Sequence, residues 1–563
     1  MASDTEGNQR KAPPADGGLG APLRVPLFRR MWLASLLSNL GLMILGVGAA
    51  WAMTQLNAPA DKIALVQSAL MLPVMLLAIA SGAIADMYDR RRVALTALAI
   101  SLLGGVALSI ATALGLLTPW VILLLCLVVG IGMALLWPTW QASVSEQVLV
   151  DDLPHAVALN SISFNIARSV GPAIGGMIVA AAGAMAAFSI TALLYVPLMI
   201  VFLLWRRQQA PSRLPPERLY RAISSGVRYV VHSPPIRTAL IRSFALTLAG
   251  SPVLALMPLI ARDLLHGNAF VYGIILGAFG VGAVIGALNI NLIRQRFTVN
   301  QALAVSSVLI GLMIAVVGVS GSLPLTVAAL VIIGASWMAS LTLCNIAVQL
   351  SVPRWVGART LAAFQSATSA GIAVGSWAWG HIAEDYGITA TLLISATAMA
   401  LTSLLGSLFP MEAVETGDRE PVGLDIPPFA LALTGRSGPI VIEEDYRVDP
   451  AEARAFYGVM QQIQQIRHRN GAYDWSMSRN IADPELWTER YHCPTWHDYL
   501  RLRGRYTAED VALQDRAYQF HRGPDPVNIR RMLERPFGSV RWREDAPDRG
   551  AEVLPISTPL ANG

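Results

Sequence analysis

Charge is what this sequence has least of. Only 14% of its 563 residues are Asp, Glu, Lys or Arg, 54% are hydrophobic, and mean hydropathy is +0.51. Water-soluble domains carry about 25% charged residues. So little polar surface over so long a chain excludes an ordinary soluble fold and leaves the bilayer as solvent. Cysteine is also scarce. Cys126, Cys344 and Cys493 have no metal-knuckle or redox-pair spacing, which excludes a disulfide framework. A cleavable signal peptide is absent. Residues 1–30 are polar, rich in Pro and Gly, and end in Arg29-Arg30, as a disordered cytoplasmic arm over 1–28 would. The net charge of +5 gives no ground for a nucleic-acid partner.

The scarcity is uneven. No formal charge occurs in 31–60, 63–85, 93–145, 243–261, 264–293, 297–353, 360–383 or 386–411, and Arg168 is the one charge in 153–205. A spanning helix needs about 20 apolar residues. The runs 93–145, 153–205 and 297–353 each have room for two, with breakers at Thr118-Pro119, Gly183-Ala184 and Gly321-Ser322-Leu323-Pro324. Six single spans and three pairs predict an all-α membrane region of twelve helices. Arginines crowd alternate connections: Arg90-Arg91-Arg92, eight in 206–242, Arg294 with Arg296, and Arg354 with Arg359. The opposite connections hold only Lys62 and Arg262. The positive-inside rule then puts both termini in the cytoplasm.

The 206–242 connection divides the spans into six and six. An amphipathic pattern around Arg218–Val231 predicts a helix on the anionic membrane surface. An internal echo agrees with the division: Asn165, Gly171 and Gly175 recur as Gln365, Gly371 and Gly375. The predicted organisation is an arm over 1–28, a first half over 29–205, a linker over 206–237, a second half over 238–411, a linker over 412–436, a soluble α+β domain over 437–545 and a tail over 546–563.

Two stretches stand out chemically. In Gly82-Ala-Ile-Ala-Asp86-Met-Tyr-Asp-Arg90-Arg91-Arg92, a carboxylate at the cytoplasmic edge can latch one conformation by accepting from arginines or a helix N-terminus. The plainer reading is a topology signal with a helix-capping Asp. In Asn165-Ile-Ala-Arg168-Ser-Val-Gly171-Pro172-Ala-Ile-Gly175-Gly176, small residues and a proline let the fifth span bend and pack closely. Arg168 sits near mid-membrane, facing an anionic solute or satisfied by helix carbonyls. Asn165 shares its face. Asn39, Gln141 and Gln365 are further polar positions that line a solute path or bond between helices.

The 82–92 stretch resembles the signature loop of the major facilitator superfamily. The 171–176 stretch resembles that superfamily's exporter-associated glycine-proline motif. Trp137-Pro-Thr-Trp-Gln141, Leu159-Asn160-Ser161, Arg168 and Gly176 are similar to the branch that includes the enterobactin (siderophore) exporter. The resemblance implies two six-helix bundles, alternating access and efflux of a small solute from a bacterial inner membrane. In it Gly82, Asp86, Arg90 and Arg91 form the latch, and Gly171, Pro172, Gly175 and Gly176 the bending element. The chain departs from drug–proton antiporters: 119–145 has no Arg, and Asp86, Glu146, Asp263 and Glu384 all lie at span edges. No proton carrier is assigned.

Beyond 436 the pattern changes. A strand over 439–448, a helix from Asp449-Pro450 to Arg469, strands over 473–481 and 486–493, and a helix over 496–521 predict a ferredoxin-like βαββα sandwich. Leu486-Trp-Thr-Glu-Arg-Tyr, Trp496-His497-Asp-Tyr-Leu and Arg505-Tyr-Thr507 resemble the dimeric α/β-barrel domains of the antibiotic-biosynthesis-monooxygenase type. That implies homodimerisation, or, as the competing function, a membrane-anchored enzyme. No catalytic base is evident, and the chain reads as a non-enzyme without cofactor. His492, Cys493 and His497 lack a fourth metal ligand, so a surface histidine beside a packed cysteine is the reading, with no metal. Reporter fusions test the topology. Fusions after Arg92, within 206–242 and after Arg296 should report cytoplasm; fusions at Lys62 and Arg262 should report the opposite side.

Overall fold

The computed structural model describes residues 20–144, 146–148, 152–205, 219–352, 356–411, 428–431 and 433–534; the side chains of Asp86 and Asn165 lie outside the described set. Most of the N-terminal arm, residues 206–218 of the 206–242 connection, most of the second linker and the C-terminal tail also lie outside it.

The first part is helical. It comprises α1 (Pro26–Gln55), α2 (Ala60–Met87), α3 (Arg90–Ala113), α4 (Pro119–Val144), α5 (Leu153–Leu204), α6 (Leu219–Val231), α7 (Pro234–Ala255), α8 (Ala269–Leu288), α9 (Val299–Val319), α10 (Leu323–Leu350), α11 (Gly357–Tyr386) and α12 (Ile388–Leu401). Apolar runs become helices because a backbone in lipid must bond within its own segment. Local chemistry sets several starts. Prolines occupy the first turn of α1, α5, α7 and α10. Thr298 and Gln301 close a capping box on α9.

Among the described residues, ten helices are long and apolar enough to cross a membrane. The 153–205 run, predicted as two spans, is helical over Leu153–Leu204 but broken at Gly183, where φ is 77°, ψ is 177° and two helices meet. Only glycine occupies that region without strain. α11 has 30 residues but is not among the ten; Ser, Thr and Gly lower its apolarity.

The internal echo has a packing counterpart. Gly171 lies against Met43 of α1, and Gly175 against Ile44 and Val47. Gly371 lies against Thr247 of α7, and Gly375 against Leu248 and Ser251. The fifth span thus packs on the first as α11 packs on α7. The end of each half is also tied to its third helix. Arg91, in the first turn of α3, donates to the carbonyls of Phe202 (2.9 Å) and Leu203 (2.5 Å). Asn300, in the first turn of α9, donates to Met411 O (2.9 Å) and accepts from Met411 N (3.1 Å).

The linker helix α6 does not simply lie on lipid. Gly226 abuts Arg359 of α11, and Tyr229 is buried with Ile236 and Val356. α6 is held between the transmembrane helices and the C-terminal unit.

That unit contains β1 (Ile440–Arg447), α13 (Ala453–Asn470), β2 (Tyr473–Arg479), β3 (Leu486–Cys493), α14 (Trp496–Arg503), α15 (Ala508–Gln519) and β4 (Asn528–Leu533). The sheet is antiparallel in the order β2-β3-β1-β4. Three details differ from expectation. α13 starts at Ala453, because Asp449 instead closes a turn by accepting from Ala451 N (2.9 Å). The 496–521 helix is two, because Thr507 and Asp510 form a capping box that starts a new helix. β4 was missed because it is an edge strand that alternates exposed Asn528, Arg530 and Met532 with half-buried residues.

Glu444 and Glu489 face each other on β1 and β3, and Arg467 of α13 reaches between them. Arg467 donates to Glu444, Glu489 and Gln514, each at 3.0 Å, and contacts the Tyr506 hydroxyl. Trp475 Nε1 adds a bond to Glu489 at 2.8 Å. Burial pushes the Glu444 carboxyl above the usual carboxylate range, although Arg467 opposes the shift. Removing one partner of a buried pair strands the other charge, at a cost of about 3–5 kcal/mol. Arg467→Met should therefore unfold this unit at lower denaturant, read by tryptophan fluorescence. An unchanged midpoint would show that the network contributes nothing.

Candidate transport site

The 82–92 stretch runs from the end of α2 into α3. Gly82 faces α11 loosely: a Cβ there would meet only Ala362 Cβ, at 4.0 Å. Asp89 is the helix-capping acid, accepting from Arg92 N at 3.1 Å. Arg90 pairs with Glu146, beyond α4, at 2.8 Å. Arg91 is engaged at the end of α5, where helix carbonyls lack partners within the helix. Arg90 and Arg91 are thus both engaged within the first half. The Asp86 side chain lies outside the described residues.

The fifth span meets the other half through α8, backbone to backbone. Gly176 packs on Gly273: a Cβ at Gly176 would lie 2.7 Å from Gly273 Cα and 2.7 Å from Ala269 O. One at Gly280 would lie 2.5 Å from Ser169 Cα and 2.6 Å from Arg168 O. Pro172 contributes its carbonyl oxygen to the same seam, 3.0 Å from where a Gly273 Cβ would sit. Beyond Gly280, Gly282 and Gly286 turn to Val331 and Ala335 of α10.

The second crossing pairs α2 with α11 and is more polar. Ser68 Oγ donates to Ala373 O at 2.7 Å, and Ser366 Oγ bonds Met75 O. Glu384 accepts from Ala60 N at 2.8 Å. On this side, that of Lys62 and Arg262, the halves are joined. Ala58 and Ile63 share a buried cluster with Leu256, Leu259 and Ala383, and Trp51 stacks on Tyr272 at 6.2 Å.

Arg168 stands at the inner end of the α5–α8 seam. Its guanidinium lies 5.3 Å from the centre of the Phe279 ring, which packs edge-on against Trp337 of α10. A cation on an aromatic face is held by the ring quadrupole, more weakly than by a carboxylate. The other predicted path residues do not converge on it by any direct bond. Gln365 bonds Ser369 on its own helix at 3.3 Å, Asn39 is half-buried on α1, and Gln141 is exposed on α4. The Asn165 side chain lies outside the described residues.

The sequence reading missed one buried membrane arginine. Arg242, counted with the 206–242 connection, is inside α7 and 6% exposed. It donates to Asn300 Oδ1 at 2.5 Å and lines a small polar cavity with Ser243, Ser307 and Cys344. Its signal was weak because three neighbouring arginines on the same stretch made it look like loop.

In the C-terminal unit, His492 approaches Glu534 at 3.5 Å, and burial pushes the Cys493 thiol up to about 12. Burial also holds His497 below the ordinary histidine value. Among the described residues, no group of three or more His, Cys, Asp or Glu is placed to hold a metal ion.

Comparison with known proteins agrees with this architecture. The chain is 24% identical over 400 residues to the multidrug efflux pump Tap of Mycolicibacterium fortuitum, covering 69% of this chain and 96% of that one. It is 26% identical over 288 residues to the staphyloferrin A transporter of Staphylococcus aureus, covering 51% and 72%. In fold it is similar to a point mutant of the nucleoside transporter NupG, with TM-score 0.57, 15% identity and coverage of 68% and 100%. A POT family transporter gives TM-score 0.55, 14% identity and coverage of 68% and 95%. Family and relatives are transporters, in keeping with a chain that is not an enzyme. Residues 18–537 match the family described as transmembrane secretion effector, so the chain belongs to this MFS_3 family of multi-pass membrane transporters.

Proposed function

We propose that the chain exports a small amphipathic or anionic solute, drug-like or siderophore-like, across a bacterial inner membrane by alternating access. The carrying observation is Arg168, set over Phe279 at the seam between the halves. A solute carboxylate offers this cation a stronger partner than the ring does, so solute entry competes with seam contact. Two relatives named for drug efflux and staphyloferrin A transport support this solute class, and the motif likeness to the enterobactin-exporter branch points the same way.

Twelve spans follow if the Gly183 break divides α5 into two and α11 crosses beside α2. Both termini are then cytoplasmic. In this reading Gly82, Asp86, Arg90 and Arg91 latch the cytoplasmic edge. Gly171, Pro172, Gly175 and Gly176 let the fifth span pivot against α1 and α8. Asn165, Arg168, Asn39, Gln141 and Gln365 line the path. The strand order of the C-terminal unit supports a ferredoxin-like fold; we assign it the monooxygenase-type barrel relationship and a homodimer contact.

Dye efflux from cells lacking their own pumps, together with susceptibility and secreted-metabolite profiles, tests the reading. Expression of the chain should lower dye retention. Arg168→Ala and Asp86→Ala should each cut efflux by about tenfold, a barrier change of about 1.4 kcal/mol. Full efflux by Asp86→Ala removes the latch role, and full efflux by Arg168→Ala removes the solute role. Gly280→Ala should overpack the seam by about 1–3 kcal/mol and lower the thermal midpoint. Gly277→Ala, whose Cβ would meet neighbours at an ordinary 3.5 Å, should leave it near native.

A further inference from the structure

The C-terminal unit touches α6, and histidines meet across that contact. His232, at the end of α6, stacks on His468 of α13 with ring centres 5.8 Å apart and planes inclined by 28°. One residue on, Arg469 lies over the Tyr229 ring at 5.5 Å while its guanidinium holds Asp510 of α15 at 2.6 Å. Arg228 approaches Gly471, where a Cβ would stand 3.1 Å from its Nη2. On its other side α6 is fixed to the transmembrane helices: Gly226 abuts Arg359, and Tyr229 is buried against Ile236 of α7 and Val356 before α11. α6 also packs against α2, the cross-half partner of α11. The C-terminal unit is thereby braced on the helix pair that joins the two halves.

We propose that the C-terminal unit is a pH-released brace: docked on α6 while His468 is neutral against His232, it restrains the α2–α11 pair, and protonation of His468 frees it. The charges around them favour that direction. Arg228 lies one turn before His232, and Arg469 follows His468. The acids that face the contact are Asp474 at the start of β2 and Asp510 with Glu509 on α15; Asp510 is already committed to Arg469. A protonated His468 would add a positive charge beside Arg228 and Arg469.

Burial, and then the charges of His232 and Arg228, hold His468 below its ordinary value, against the Ala472 backbone hydrogen bond and Asp474. A depressed histidine in the docked form means that undocking takes up a proton. Docking is therefore at full strength above the free histidine value of about 6.5 and weakens as pH falls below it, up to about tenfold per pH unit. The brace is independent of the solute identity.

The test is a distance measurement by pulsed electron resonance on the full-length protein in nanodiscs. Labels go on Val231→Cys of α6 and Gln461→Cys of α13, both exposed, while Cys126, Cys344 and Cys493 are buried. One narrow distance is expected at pH 7.5, with a longer, broad population growing by pH 5. In the His232→Gln, His468→Gln background the narrow distance should persist at both pH values. A broad distribution at pH 7.5 overturns the docking. An unchanged native distance at pH 5 overturns the switch. Equal broadening at pH 5 in the double variant assigns the change to general acid loosening and also overturns the switch.

Discussion

Close backbone contact between helices is the constraint on which this structure depends. In lipid there is no hydrophobic drive to pull one apolar helix onto another, so association rests on packing and on the few hydrogen bonds that bridge helices. The chain meets this with small residues placed where helices cross. Gly171 and Gly175 seat the fifth span on α1, Gly371 and Gly375 seat α11 on α7, and Gly176, Gly273 and Gly280 bring α5 to α8. The first two sets build each half, and the third joins them. The α2–α11 crossing instead uses serine hydroxyls on carbonyls. One crossing is held by close packing and the other by hydrogen bonds, so the two resist separation by different forces.

Three arginines differ in how strongly they are held. Arg467 is bound by two carboxylates, an amide and a phenol, and fixes a soluble core. Arg242 is bound by the Asn300 amide, which itself ties down the end of the second half. Arg168 rests on an aromatic ring at the boundary between halves. An intramembrane cation held that lightly keeps its capacity to take an anion. The same residue in a carboxylate pair would be locked in place.

Much of this was legible because the bilayer imposes simple rules on sequence. Charge-free runs marked the helices, and the 200-residue echo marked equivalent packing of α5 on α1 and α11 on α7. What was not legible depends on fine geometry or on neighbours distant in sequence. Asp89, not a residue deeper in the motif, is seen capping α3. Arg242 is hidden by adjacent loop arginines. The Arg467 network joins positions 444, 467, 489 and 514, which no local pattern connects. Likewise α6 was readable as amphipathic, but not that its buried face meets protein.

The proposed alternating access has the two halves rock about these seams. Single-molecule energy transfer across the halves tests it most directly. One dye pair goes on Leu116→Cys and Gly321→Cys, in connections on the Lys62 side, and the other on Tyr88→Cys and Phe297→Cys, at the opposite ends of the helices; all four positions are exposed. The account predicts two states for each pair, with one pair lengthening as the other shortens when conditions shift the balance. A single fixed distance for both pairs under active efflux would contradict it.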